Sequence, residues 1–235
     1  MSLLGTKVGV VRLGMSCQSA HQIEHHARLI GTLTGDPSAI TSRFPFDNLI
    51  CPPPSAIRML QADRFHPESM EDLTVGEGAY WWQMDAHFWH EFRPKRSGLF
   101  RRKIMDPVKA FSVLTQKYEH TGKKFRALSS VPRLIFVISN SQNNLEMVSR
   151  VTGNVGVMLD LTQVEALADR TDAYLGRACE YIVVTYPDRV TGRSVRSNVS
   201  VFELKPDDSE WMGDPAQWSA LFQTALAPRA AVSSA

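Results

Sequence analysis

Cys17 follows Gly14-Met15-Ser16, where a run rich in β-branched residues gives way to a helical pattern. That placement suits nucleophilic chemistry. A thiolate is the reactive form of cysteine, and the positive end of a helix both stabilises it and offers backbone N–H groups for an oxyanion, with Ser16 and Gln18 as the flanking support. Such a thiol needs a base, and His87 and His90 lie together in the aromatic segment Ala79 to Phe92. Asp47 in Pro45-Phe46-Asp47, Asn140 at the end of an apolar run and Asp188 in Tyr186-Pro187-Asp188 are the carboxylates and amide placed to support it. Each has a plainer role as well. A cysteine at a strand–helix junction packs as a small apolar residue, the histidines decorate an aromatic strand, and Asp47, Asn140 and Asp188 form turns or caps.

Other clusters carry weaker chemistry. Trp81, Trp82 and Trp89 are candidates to line an apolar substrate cleft, although aromatic residues at this density more commonly fill a core. His21 and His25 share a helix face at i,i+4, the spacing of two metal ligands, but no third ligand accompanies them, so no metal site is expected. The basic run with Arg93, Lys95, Arg96, Arg101 and Arg102 reads as a solvated loop or as an anion-binding one. No phosphate loop, GxGxxG or GxSxG stands where it would matter, and no cofactor is implied.

The elements that must hold these residues are those of an α/β protein. Lys7 to Leu13 reads as a strand closed by Gly14, Ser16 to Ile30 as a helix, and Ser55 to Gln61 as a short helix delayed by Pro52-Pro53-Pro54. The segment 76–92 suits two short strands with a bend at Asp85-Ala86. Asp106-Pro107 opens a helix running to about Ser129, with a weak point at Gly122. Arg133 to Asn140 and Tyr181 to Tyr186 are unbroken enough to be buried parallel strands, Val199 to Leu204 is a further strand, and Asn143 to Val151, Thr162 to Leu175 and Asp214 to Leu226 are helices. The expected fold is therefore a mostly parallel sheet flanked by helices in three layers, with 1–227 as one domain and 228–235 as a flexible tail.

Composition sets the outer limits. The chain has 235 residues, 43% hydrophobic and 21% charged, which excludes a mainly disordered state. A balance of 26 Lys+Arg against 24 Asp+Glu gives +2 and implies no nucleic-acid partner. Three cysteines without CxxC spacing, no leader-like start and no long apolar run point to a cytoplasmic protein without a membrane partner. Oligomeric state is left open.

The motifs also resemble those of a bacterial family of papain-like cysteine peptidases, otherwise catalogued as a domain of unknown function. The carrying segments are Arg12-Leu13-Gly14-Met15-Ser16-Cys17, Phe44-Pro45-Phe46-Asp47-Asn48, Pro52-Pro53-Pro54-Ser55-Ala56-Ile57 and Trp89-His90-Glu91-Phe92. Lys117-Tyr118-Glu119, Leu134 to Val137 and Trp211-Met212-Gly213-Asp214 extend the likeness over most of the chain. Arg12 for Ser, Asn48 for Trp and Glu91 for Asp depart from the pattern. The resemblance implies Cys17 as nucleophile, His90 rather than His87 as base and Asp47 as orienting acid. A second similarity, to the GSCFA family grouped with SGNH-type hydrolases, would let Ser16 compete with Cys17. The leading expectation is a thiol-dependent hydrolase or acyltransferase acting on a small-molecule, peptide or glycan acyl substrate. The alternatives are an SGNH-like esterase of acylated carbohydrate and a non-catalytic protein that grips an anionic ligand or partner through 93–103.

Overall fold

The computed structural model describes residues 7–39, 41, 43–76, 78–92, 96–97, 101–102, 106–146, 157–207 and 211–227, with backbone alone at 96–97 and 101–102. Its strands are β1 (Val8–Met15), β2 (Leu49–Ile50), β3 (Leu73–Gly76), β4 (Gly78–Trp81), β5 (Ala86–Phe88), β6 (Arg96–Ser97), β7 (Arg101–Arg102), β8 (Arg133–Ser139), β9 (Leu159–Asp160), β10 (Glu180–Thr185), β11 (Val190–Thr191) and β12 (Val199–Glu203). Its helices are α1 (Cys17–His25), α2 (Ala27–Thr34), α3 (Pro53–Ala62), α4 (Pro107–Arg126), α5 (Leu161–Leu175) and α6 (Pro215–Leu226).

The four-stranded main sheet has the order β1-β8-β10-β12 with every pairing parallel. Strands buried on both faces carry apolar residues at successive positions, and alternate side chains then feed different cores. Leu134, Phe136 and Ile138 of β8, with Tyr181 and Val183 of β10, join a cluster that includes α3, α4 and α5. Ile135, Val137, Ile182 and Val184 join another with Ile23 of α1, Ile30 of α2 and Trp218 and Phe222 of α6. Each such side chain, fully buried, stabilises the fold by roughly 1.5–3 kcal/mol before entropy is counted. A second sheet, antiparallel and ordered β2-β5-β4-β3, stands beside the first. Its β2 leads into Cys51, which exchanges backbone bonds with Met15 at the end of β1 (Met15 N–H to Cys51 O, 2.5 Å; Cys51 N–H to Met15 O, 3.2 Å).

Several local expectations are corrected. The first helix divides at His26, whose ring nitrogens face the carbonyls of Gln22 (2.9 Å) and Pro215 (3.1 Å), and α2 then ends at Gly35 with φ 67°. The third helix begins at Pro53, because the first helical turn has no N–H bonds for proline to remove. The bend in the aromatic segment is a turn over 82–85, with Asp85 at φ 53° and Ala86 already in β5, and the sheet recruits β3 upstream. Gly122 is no weak point, since a Cβ there would lie 2.9 Å from Phe65 and its absence lets α4 pack closely. The cap at Asp106 is as expected, its side chain accepting the Val108 N–H, and Asp214 caps its helix in the same way through the Ala216 N–H. The end of the expected helix at Asn143 to Val151 and the tail over 228–235 lie outside the described residues. No described helix is long and apolar enough to cross a membrane.

Candidate functional site

The site is built on the exit from β1. Gly14 and Met15 are both left-handed, at φ 80° and 63°. A Cβ on Gly14 would stand 2.8 Å from the Cys51 carbonyl oxygen, so the position requires glycine. Met15, with a side chain, holds a conformation that costs about 1 kcal/mol or more and persists only because the paired Cys51 strand over-determines it. This tight reversal makes Ser16 the N-cap and delivers Cys17 as the first residue of α1, the strand–turn–helix placement that exposes nucleophiles in other α/β folds.

Cys17 is half-buried and, like Trp89, packs against Ile50. It opens on a cleft of about 240 Å³ whose other walls include His21 and Glu24 of α1, Asp47 before β2, His90 from the turn after β5, and Trp211. Thus the three residues expected to act together, Cys17, His90 and Asp47, line one cleft although 73 positions separate the first from the second. His90 is exposed on that wall, while His87 is buried in the antiparallel sheet with its ring against Trp89 at 5.3 Å.

Below the thiol lies a charge cluster. Arg12, 1% exposed in the middle of β1, donates from Nη2 to the Leu49 carbonyl, and its Nε and Nη1 have no hydrogen-bond partner among the described residues. Glu91 pairs with Lys117 at 2.5 Å and accepts a long bond from the Tyr118 hydroxyl at 3.5 Å. Burial raises the Cys17 thiol above its ordinary range, with Arg12 the foremost opposing charge and Glu91 and Asp47 adding to the rise. The same burial pushes Asp47 up, against the Phe44 N–H it accepts at 2.8 Å and the Arg12 charge. Cys17 at rest is therefore held as the neutral thiol, despite the helix start beneath it.

The supporting residues divide sharply. Ser16 is fully buried and its hydroxyl donates to the Ser139 carbonyl at 3.1 Å, so it is not presented as a nucleophile. Gln18 is spent three times over: its N–H on Gln142 Oε1, its Oε1 on the Ser141 hydroxyl and its Nε2 on the Trp211 carbonyl. Asn140 gives both amide hydrogens to the carbonyls of Val157 and Arg189 and ties loops together instead of lining the cleft. Trp81 is core, stacked on Phe88 at 6.2 Å, and Trp82 is 56% exposed with its Nε1 turned to the Glu71 carbonyl. Trp89 packs against Ile50, as Cys17 does, and of the tryptophans it is Trp211 that lines the cleft.

Arg93 and Lys95 lie outside the described residues. Arg96, Arg101 and Arg102 fall in the β6–β7 ribbon, of which only the backbone is described. His21 and His25 stack at 6.2 Å, His21 facing Trp211 at 5.7 Å, and among the described residues no group of three or more His, Cys, Asp or Glu is placed to hold a metal ion. Sequence reasoning passed over Arg12 and Glu91 as site residues. The signal was a lone charge inside Val8-Gly9-Val10-Val11-Arg12-Leu13, since a charge buried in an apolar strand requires a partner.

Set against family models, curated proteins and solved structures, the chain gives no match.

Proposed function

We propose that the protein is a thiol-dependent hydrolase or acyltransferase in which Cys17 attacks an acyl or amide carbonyl and His90 handles the proton. The observation that carries this reading is the shared cleft: a thiol at the first position of α1 and a histidine on the opposite strand turn, with Asp47 on the same wall as orienting acid. Because the resting thiol is neutral, His90 acts as a general base during attack and not as the partner of a standing thiolate. The proton passes from Sγ to the imidazole as the S–C bond forms. The tetrahedral oxyanion is met by N–H groups of the first turn of α1 other than that of Gln18. Its collapse breaks the bond to the leaving group, which takes the proton from His90. Water or another acceptor then displaces the thioester, with His90 again as base.

The Ser16-centred esterase reading is the weaker one, because that hydroxyl is already committed to Ser139. The reading adopts a three-layer arrangement, with α1, α2 and α6 over one sheet face and α3, α4 and α5 over the other, and a cytoplasmic location in keeping with three free thiols. Incubation with p-nitrophenyl acetate followed by mass spectrometry tests it. An acetyl group should appear on the Cys17 peptide of wild type and of Ser16→Ala, and vanish in Cys17→Ala. Undiminished p-nitrophenol release by Cys17→Ala would overturn the reading.

A further inference from the structure

The buried guanidinium of Arg12 is more than a brace. Its one hydrogen bond goes to the Leu49 carbonyl, which a neutral amide would satisfy without the cost of taking a cation out of water. Two of its nitrogens have no acceptor among the described residues; a bare Nε recurs on Arg58, Arg64, Arg170 and Arg177, but Arg12 lacks a partner at Nη1 as well and is 1% exposed. Arg133 on the neighbouring strand shows the ordinary arrangement: it spends its fork on both oxygens of Glu180 at 2.7 and 2.9 Å.

The groups that face Arg12 electrostatically are Cys17 of α1, Asp47 before β2, Cys51 after it and Tyr118 of α4, with Cys17 the foremost. Those that act on Cys17 are Arg12, Glu91, Asp47 and Lys117, with Arg12 again the foremost charge, and His21, Glu24, Arg43 and His90 line the cleft with it. Lys117 is already neutralised by Glu91 at 2.5 Å, and burial drives Asp47 toward its neutral form. Arg43 stands on the cleft wall, whereas Arg12 reaches the thiol from beneath: its Nη2 bonds the Leu49 carbonyl, and the next residue, Ile50, packs against Cys17. Burial lowers the Arg12 pKa, but from the highest starting value of any side chain.

We propose that Arg12 is a positioning residue for the Cys17 thiolate: its buried, largely unspent guanidinium is the counter-charge that steadies the sulfur once His90 has taken the proton. No electron changes hands, and Arg12 keeps its own protons throughout. The inference rests on Cys17 being the nucleophile, and it explains how a half-buried thiol can ionise transiently without a standing Cys–His ion pair.

The test is the pH dependence of Cys17 alkylation by iodoacetamide on the full chain, read by mass spectrometry for wild type, Arg12→Lys, Arg12→Gln and His90→Ala, with circular dichroism to verify folding. Arg12→Gln should move the labelling midpoint upward by about one pH unit, which is about tenfold slower labelling at a fixed pH below the midpoint. Arg12→Lys, which keeps the charge, should stay near wild type. His90→Ala should leave the midpoint in place while removing acyl transfer. A folded Arg12→Gln protein with the wild-type midpoint overturns the proposal. So does an Arg12→Lys protein shifted as far as Arg12→Gln, since the charge would then not be the cause. Should Arg12→Gln fail to fold, Arg12→Lys decides: the wild-type midpoint supports the counter-charge, and an upward shift of one unit overturns it. Absence of a Cys17 thioester in wild type would instead sink the nucleophile reading, a result separate from any midpoint.

Discussion

The C-terminal ends of β1 and β8 lie side by side in the parallel sheet, and both are rich in polar residues, yet they are put to opposite uses. At the end of β8 the prominent groups are mostly committed: the Ser139 hydroxyl to Ser141, the Ser141 hydroxyl to Gln18, the Ser139 carbonyl to Ser16, and the Asn140 Nδ2 to two distant carbonyls, while the Asn140 Oδ1 has no partner among the described residues. At the end of β1 a strained reversal presents a thiol to a cleft, and the buried arginine behind it keeps donors unspent. Polar residues at a strand end are thus no guide to function until their hydrogen bonds are counted. The β8 end, saturated apart from the Asn140 Oδ1, holds loops in place, and the unsaturated β1 end is where a reacting group can still gain a partner.

The largest expected effects belong to the unsaturated end. Cys17→Ala should reduce acyl transfer from p-nitrophenyl acetate on the order of 10³-fold or more with the circular dichroism spectrum unchanged. A retained rate would erase the distinction between the two ends. His90→Ala should cost roughly 10²- to 10⁴-fold in the same assay, the usual worth of a general base. His87→Ala serves as the contrast, because His87 is buried in the antiparallel sheet and its loss should appear as instability before it appears as slower chemistry.

The saturated end should answer in stability. Ser141→Ala strips the Gln18 side-chain oxygen of its 2.6 Å donor, and leaving such a buried acceptor unpaired costs about 1–3 kcal/mol. Urea unfolding would show that loss, while the pH midpoint for Cys17 alkylation stays where it is in wild type. A shifted midpoint with unchanged stability would mean that the β8 end belongs to the chemistry after all.

Legibility in sequence follows the range of the interactions. Strands β8 and β10 and the cap at Asp106 are local patterns, and each stands within a residue or so of its expected place. The break at His26 depends on a carbonyl 189 positions away, and the two-residue strand β2 has no pattern of its own to show. The same holds at the site. Cys17 and His90 are recognisable as residue types in a motif order, but the Glu91–Lys117 pair spans 26 positions and the Gln18 bond that holds the Trp211 backbone spans 193. Arg12 was visible as an oddity in an apolar strand, and only the fold reveals which thiol it faces.

The smallest effect compares two thiols on the paired edge that joins β1 to Cys51. Cys51 is fully buried, and burial pushes its thiol up to about 12 from an ordinary value near 9. A raised value of this kind means that the folded chain keeps its proton where the unfolded chain has lost it. The stability so contributed is complete below about pH 9 and falls as pH rises through the folded value, by up to about 1.4 kcal/mol per pH unit for one such group. Tyr118 and Tyr181, also raised by burial, steepen the decline in the same direction, so wild type alone cannot isolate the thiol. The difference between wild type and Cys51→Ala can. The variant should be somewhat less stable at pH 7, and its free energy of unfolding should fall less steeply than that of wild type between pH 9 and 12. Parallel curves would mean that water reaches Cys51. The contrast between a sealed thiol and the one at the cleft would then fail, and with it the reason why iodoacetamide should select Cys17 in the folded protein.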